Sequence, residues 1–292
     1  MMKQGEQVSE KYELVKDLTM DVDGVTLYRI RALRDIPHHD VEAGDLGGWV
    51  EGEHNLSQHG DSWVGDNAKV SGAAWVFENA WVYGDAQVYD NARVFGDAQV
   101  HDKAIISGNA RVSGHATISG EACIRGMAQV CGAALVGDQV TVCGNAIVMD
   151  EALVEGVAEI CDHAKVYDDA TVKDAHVRDR VEIAGNARVN GYVVIMGVAS
   201  LYDCACVRHC EDWLSVSDFT GAVCYMDDNL DLDLDLDGPL TAYRSDDGDI
   251  IVHADGYMDT LHEFDKCGDA TCKALAAFIR AQMNGETGGT GE

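Results

Sequence analysis

Four potential metal ligands cluster where the repetitive part of the chain ends, namely Cys204, Cys206, His209 and Cys210. Thiolate and imidazole groups are the ligands that zinc prefers in proteins. Cys204 and Cys206 are two residues apart, so on a strand their side chains would project from the same outward face. The cluster fits either a zinc site or ordinary residues that fill a final coil. We prefer the second interpretation, and no metal is predicted.

An acidic run offers a second set of potential ligands. Leucine and aspartate alternate without a break over residues 230–237. This alternation is typical of a strand with one apolar and one acidic face. Aligned carboxylates attract calcium, but no glycine-containing loop with fixed ligand spacing accompanies them. We therefore expect a solvated strand face here rather than a metal site.

The elements that position these residues follow a six-residue repeat from Val64 to Val172. Nineteen consecutive positions, each six residues after the last, hold only Val or Ile. The residue two before each of them is Ala or Ser, apart from Val140. The residue two after each of them is Gly, Asp or Glu. Because Gly and Asp adopt corner conformations that β-branched residues avoid, each hexad predicts one short strand followed by a corner.

Three such hexads close a triangular coil of eighteen residues. Stacked coils would lie about 4.8 Å apart and pair through parallel strands, with the small and aliphatic residues pointing inward. After Val172 the next aliphatic residue, Val177, comes five residues later, and the six-residue spacing then resumes as far as Val207. The sequence therefore predicts an all-β solenoid, a parallel β-helix of about eight coils.

The segments outside the repeat predict two caps. Residues 1–46 contain two strand-like runs, Tyr12–Val15 and Val25–Leu33, around a turn, and this hairpin would cover the first coil. We expect the β-helix over residues 47–214 and a small α+β cap over residues 215–284. Residues 285–292 are glycine-rich and predict a disordered tail.

Composition narrows the class of protein. The formal net charge is −30, and residues 211–292 hold nineteen acidic against four basic residues. Such a surface repels phosphate groups, so we expect no nucleic acid or membrane partner, while a protein partner could use the acidic C-terminal cap. No leader or long apolar run is seen, which predicts a cytoplasmic location. Several of the ten cysteines fill repeat positions where other hexads have Ser, Tyr or Thr, which predicts reduced structural thiols. Cys143 and Cys161 are eighteen residues apart, so we expect them to stack on adjacent coils.

Residues 109–120, NARVSGHATISG, resemble the transferase hexapeptide repeat. That resemblance implies a left-handed coil and a homotrimer; a right-handed coil like that of bactofilins is the alternative. Three further segments resemble YdcK-like proteins, which are frequent in phages and prophages: residues 24–34 (GVTLYRIRALR), 43–51 (AGDLGGWVE) with 55–57 (NLS), and 259–264 (DTLHEF). This second resemblance implies a phage or prophage protein that either forms assemblies or transfers acetyl groups.

The hexapeptide resemblance also implies which residues would act in an enzyme. Acyltransferases of this family use a histidine as general base, in a cleft between subunits that a loop inserted in the helix often walls. His101 and His115 are the candidates, with acetyl-CoA as the cofactor. No inserted loop interrupts residues 64–172, so we prefer a non-catalytic structural or binding protein without a cofactor. An acetyl-CoA-dependent acyltransferase is the alternative.

The trimer contact is predicted from the outward residues, which recur every eighteen positions on each of three faces. One face, here called the Phe77 face, is the richest in large apolar groups: toward its N-terminal half it carries Trp75, Phe77 and Phe95, together with Arg93 and Arg111. Phe77 is expected to stack on Phe95 beside Trp75, with the two arginines at the rim. Monomers seldom expose such a patch, so this face is the predicted homotrimer interface.

Overall fold

The computed structural model describes most of the chain. The described residues are 10–197, 200–201, 206–208, 214–216, 224–225, 241–244, 249–254, 257–266, 273, 276–277 and 279–280. The chain divides into two compact units, Met1–Asp138 and Gln139–Glu292.

An N-terminal hairpin opens the first unit. Strand β1 (Tyr12–Val22) pairs antiparallel with β2 (Val25–Ala32), and a bulge lies between Val15 and Thr19. Strand β3 (Leu46–Val50) pairs antiparallel with β2 on one side and parallel with Lys69–Val70 on the other. The predicted hairpin is therefore confirmed, and it continues one sheet of the first coil.

The coils of the first unit present three flat faces, each a ladder of short parallel strands. The Lys69 face contains Lys69–Val70, Gln87–Val88, Ile105–Ile106 and Cys123–Ile124. The Trp81 face contains Trp63–Val64, Trp81–Val82, Gln99–Val100, Thr117–Ile118 and Leu135–Val136. The Phe77 face contains Trp75–Val76, Arg93–Val94, Arg111–Val112 and Gln129–Val130. Partners are eighteen residues apart, as in Gln99 with Thr117, which confirms the predicted coil length.

The second unit repeats this arrangement. One ladder contains Thr141–Val142, Glu159–Ile160, His176–Val177, Val193–Ile195 and Leu214–Val216. A second contains Leu153–Glu155, Thr171–Lys173, Arg188–Asn190 and Cys206–Arg208, and a third Ile147–Val148, Lys165–Val166, Glu182–Ile183 and Ser200–Leu201. The coil absorbs the missing residue after Val172, since Ile160 pairs with Val177. The parallel β-solenoid of about eight coils is confirmed, and its handedness stays a prediction.

The core consists of the two inward residues of each hexad. Every aliphatic position from Val64 to Val172 is at most 1% exposed, and the preceding alanines are buried with them. Pairing a small residue with an aliphatic one allows the interior of the coils to pack closely.

The first coil is covered by side chains of β1 and the residue before it. Lys11 is fully buried, and its Nζ donates to the carbonyl oxygen of Ser62 at 2.6 Å and to its hydroxyl at 3.0 Å. Burial lowers the pKa of Lys11 to about 7. The Tyr12 hydroxyl donates to the Leu56 carbonyl at 2.8 Å. The repeat pattern gave no signal for these contacts, because they join residues 44 to 51 positions apart.

The corners explain why the repeat uses acidic residues and glycines two positions after each aliphatic residue. Corner residues take a positive φ, for example 56° at Asp102 and 66° at Gly120. The Asp102 carboxylate accepts the backbone N–H of Gly120, in the next coil, at 2.9 Å. The same contact recurs in both units: Asp66 with Gly84, Glu78 with Gly96, Asp90 with Gly108, Asp168 with Gly185 and Asp179 with Gly197. A corner carboxylate therefore accepts a backbone N–H that makes no hydrogen bond in the strand ladders.

The described part of the C-terminal region forms a small α+β cap, as predicted. Its strands are Cys224–Tyr225, Thr241–Arg244, Ile250–Ala254 and Tyr257–Thr260, all paired antiparallel. Helix α1 (Leu261–Asp265) begins after Thr260, whose hydroxyl accepts the N–H of Glu263. Leu261 and Phe264 pack into a core with Ala242 and Val252. The acidic run 230–237 and the predicted disordered tail 285–292 lie outside the described residues.

Candidate functional site

The Phe77 face carries a continuous aromatic stack. The ring centroids of Trp75 and Phe77 are 4.1 Å apart, and those of Phe77 and Phe95 are 4.9 Å apart with the rings nearly parallel. The guanidinium carbon of Arg111 lies 5.4 Å above the Phe95 ring. Trp75 is 40% exposed, so this stack reaches solvent. The predicted stacking of Phe77 on Phe95 beside Trp75 is confirmed; its role as an interface stays a prediction.

The Trp81 face carries a second stack, which ends at a candidate catalytic residue. His39, from a 3₁₀ turn at Pro37–His39, stacks on Trp81 at 5.0 Å. Trp81 stacks on Tyr83 at 4.0 Å, and Tyr83 stacks on His101 at 4.9 Å. His101 therefore lies on a flat outward face, as its position in the hexad predicts.

His101 and His115 contact different carboxylates. His101 Nδ1 lies 3.2 Å from Asp102 Oδ2, and the histidine side chain is 21% exposed. Hydrogen bonds from Gly120 and then from His101 lower the pKa of Asp102. His115, at a corner, is 75% exposed, and its Nδ1 lies 3.8 Å from Asp97 Oδ2. The contacts thus give His101 a His–Asp pair of the kind that orients a general base, and give His115 only a loose surface contact.

A groove lies on the Lys69 face. Its volume is about 490 Å³, and it opens widely to solvent. It is lined by Lys69, Asp85, Gln87, Lys103, Ile105 and Glu121. The lining is of mixed charge, with Lys103 paired to Glu121 at 2.9 Å. Neither His101 nor His115 is among the lining residues.

The cysteines give one correction and one open question. Cys143 and Cys161 stack on adjacent coils as expected, but a disulfide joins them, so the prediction of reduced thiols is wrong for this pair. The spacing brings their sulfur atoms close enough to bond. Of the proposed zinc ligands, Cys204, His209 and Cys210 lie outside the described residues. Cys206 is described only as part of the strand Cys206–Arg208.

Two features of these sites were missed in the sequence. The stacking of His39 on Trp81 depends on how the loop before β3 returns to the coil, and residue spacing carries no information about that path. The proximity of Glu159 to Cys143 and Cys161 did have a signal. Glu159 precedes Cys161 by two residues, and Cys161 follows Cys143 by eighteen, so all three project from the same face.

Comparison with known proteins agrees with the architecture. The YdcK β-solenoid repeat matches residues 86–102, slightly less than one coil. No curated protein matches the chain. The protein is a parallel β-solenoid. Together with that fold, the match confirms the resemblance to YdcK-like repeat β-helix proteins. Among the described residues, no helix is long and apolar enough to span a membrane.

The burial of His39 against Trp81 predicts that the folded protein loses stability in acid. Burial and then the neighbouring His38 lower the pKa of His39 to about 4, from an ordinary 6.5. The folded state thus favours the neutral ring of His39. The contribution of His39 to the free energy of unfolding is therefore complete above pH 6.5 and is lost as the pH falls toward 4. A shift of this size is worth about 3 kcal/mol. We expect denaturant titrations to show that loss in the wild type.

The variant His39→Phe isolates this effect, because it keeps a ring on Trp81 and removes the titrating group. Its free energy of unfolding should change less than that of the wild type between pH 6.5 and pH 4. Parallel pH profiles for the two proteins would contradict the assignment.

Proposed function

We propose that this protein is a non-catalytic structural or binding solenoid that assembles with copies of itself through the Phe77 face. The stack of Trp75, Phe77 and Phe95 carries the proposal. Aromatic groups and arginines are enriched at protein interfaces, and a contiguous apolar patch on a soluble protein is typical of an interaction site. The number of three subunits comes from the resemblance to hexapeptide-repeat proteins, and an origin in a phage or prophage comes from the resemblance to YdcK-like proteins.

The chemistry of the patch supports a protein partner. Phe77 and Phe95 are held parallel by their pairing through successive coils, so the surface is flat and loses little side-chain entropy on association. Arg93 and Arg111 are exposed beside the rings and are able to pair with acidic groups of a second copy at the rim. The chain has an excess of such groups, with 51 acidic residues.

Replacing Phe77 and Phe95 together by aspartate tests the interface. Both residues point outward, so the coils should stay folded, while two carboxylates would face their symmetry-related copies. We expect the assembly to fall to the mass of one chain in light scattering, with an unchanged β-type circular dichroism spectrum. An unchanged assembly mass would show that this face is not the contact.

A matched double variant controls for added charge. Gln87 and Ile105 are stacked neighbours on the Lys69 face, with the same eighteen-residue spacing as Phe77 and Phe95. The variant Gln87→Asp with Ile105→Asp should keep the wild-type mass. If both double variants dissociate, added negative charge alone drives dissociation and the face is not identified.

Acyl transfer is the second candidate function, favoured by the His101–Asp102 pair. A histidine oriented by a carboxylate is suited to removing a proton from an acceptor hydroxyl or amine. On the preferred account, calorimetric titration with acetyl-CoA shows no binding at micromolar concentrations. Micromolar binding that disappears in His101→Ala, with His115→Ala as a parallel variant, would decide for the acyltransferase.

A further inference from the structure

A compact group of metal-binding side chains lies on one face of the second unit. In the disulfide form, the two sulfur atoms of Cys143 and Cys161 and a carboxylate oxygen of Glu159 lie within 4.8 Å of one another. Cys161 is 6% exposed, while Cys143 and Glu159 are half-buried. The group is therefore sheltered on its inner side and accessible from solvent.

The solenoid holds these residues on a rigid backbone. Strand Glu159–Ile160 pairs with Thr141–Val142 on one side and with His176–Val177 on the other. The N–H of Cys143 donates to the carbonyl of Ile160 at 2.8 Å, and the N–H of Cys161 donates to that of Val177 at 2.9 Å. The Cα atoms of the two cysteines are 4.6 Å apart. The backbone thus keeps the two cysteines and Glu159 next to one another on adjacent coils, and reduction of the disulfide is needed before the sulfurs can act as separate ligands.

Neighbouring side chains orient the carboxylate. His176 Nδ1 lies 2.9 Å from Glu159 Oε2, and Arg178 donates to the same oxygen. Outer contacts of this kind fix the direction of a ligating group. Two thiolates and a carboxylate would carry three negative charges, so the guanidinium of Arg178 and a divalent cation together would neutralise the group.

We propose that, when the disulfide is reduced, Cys143, Cys161 and Glu159 bind a thiophilic divalent cation, zinc in particular. Thiolate sulfur selects zinc over calcium or magnesium, and tetrahedral zinc sites with three protein ligands leave a fourth position for water. In the disulfide form both sulfurs are bonded to each other, so the site exists only in the dithiol form.

The zinc site forms in two steps, reduction of the disulfide and then binding of the metal. A trialkylphosphine reduces the disulfide: the phosphorus is oxidised to the phosphine oxide with oxygen from water, and two thiols form. Zinc then binds both sulfurs, and the two thiol protons are released to solvent. Oxidised protein, in contrast, has no thiolate to offer at these positions.

Cobalt(II) is the probe, because thiolate ligation gives it a sulfur-to-metal charge-transfer band in the near ultraviolet. Phosphine-treated protein should bind one cobalt ion at this site with such a band, and zinc should displace it. Cys143→Ser and Cys161→Ser should each abolish the band. Glu159→Gln should keep the fold and weaken cobalt binding about tenfold or more, since it removes the charged oxygen ligand.

Two controls address four of the eight remaining cysteines. Cys123→Ser should leave the cobalt band unchanged, and so should serine at Cys204, Cys206 and Cys210 together. The proposal is overturned if reduced protein binds no cobalt, or if the band survives in both Cys143→Ser and Cys161→Ser. It is equally overturned if the disulfide resists the phosphine, because the ligands would then never form.

Discussion

Replacement of Gly48 by alanine is expected to lower the free energy of unfolding of the first unit by about 3 kcal/mol, near the upper end of the usual cost of overpacking. A Cβ atom at this position would lie 2.7 Å from the carbonyl oxygen of Ala68 and 2.9 Å from that of Gly65. Both are backbone atoms, and the Ala68 carbonyl also accepts the N–H of Trp49 at 2.8 Å. Relieving the clash would therefore loosen the junction between β3 and the first coil.

The control for this prediction is Gly65→Ala in the same unit. A Cβ atom at Gly65 would approach Trp81 and Tyr83 no closer than 3.4 Å, an ordinary contact. Urea denaturation followed by tryptophan fluorescence reports both variants, because Trp63 is buried beside the junction. Equal midpoints for Gly48→Ala and Gly65→Ala would contradict the tight approach.

Replacement of Val100 by aspartate is expected to cost at least about 4 kcal/mol, because it buries a carboxyl group without a partner. Val100 is fully buried, and its strand neighbours Val82 and Ile118 stack above and below it with apolar side chains. The aspartate would have to stay protonated or force the coil open. Thermal and urea denaturation would both measure the loss.

Gln99→Asp is the matched control, since residue 99 is the outward neighbour on the same strand and is exposed. The same aspartate there should change the stability by no more than a few tenths of a kcal/mol. A comparable loss in both variants would mean that inward and outward positions do not alternate as described. The pair of variants therefore tests the repeat assignment one residue at a time.

The fold was predictable because the same six-residue pattern, with the same inward and corner positions, recurs in many consecutive hexads. The row of Val and Ile at six-residue spacing set the inward face, and a single register error would have placed charged residues inside. The corner residues were also predictable in type, since Asp102 and Gly120 both need a positive φ. The hydrogen bond between the carboxylate of one corner and the N–H of the corresponding corner in the next coil was not predicted, because composition alone does not place a hydrogen bond.

Contacts in the candidate sites were predictable only between residues that belong to the eighteen-residue repeat. Phe77 and Phe95 are one period apart, so their stacking followed from the sequence. His39 and Lys11 come from the segment before the repeat, and their contacts with Trp81 and Ser62 depend on a chain path that no periodicity describes. The disulfide between Cys143 and Cys161 shows a further limit, since stacking predicts proximity but not oxidation state.

The proposal that this protein assembles with copies of itself is tested most directly by the mass of the wild-type protein in solution. Sedimentation equilibrium over a range of concentrations gives this mass without assumptions about shape. We expect three times the chain mass of 31.4 kDa. A mass of one chain at every concentration would contradict the assembly and leave the aromatic stack of the Phe77 face without its proposed role.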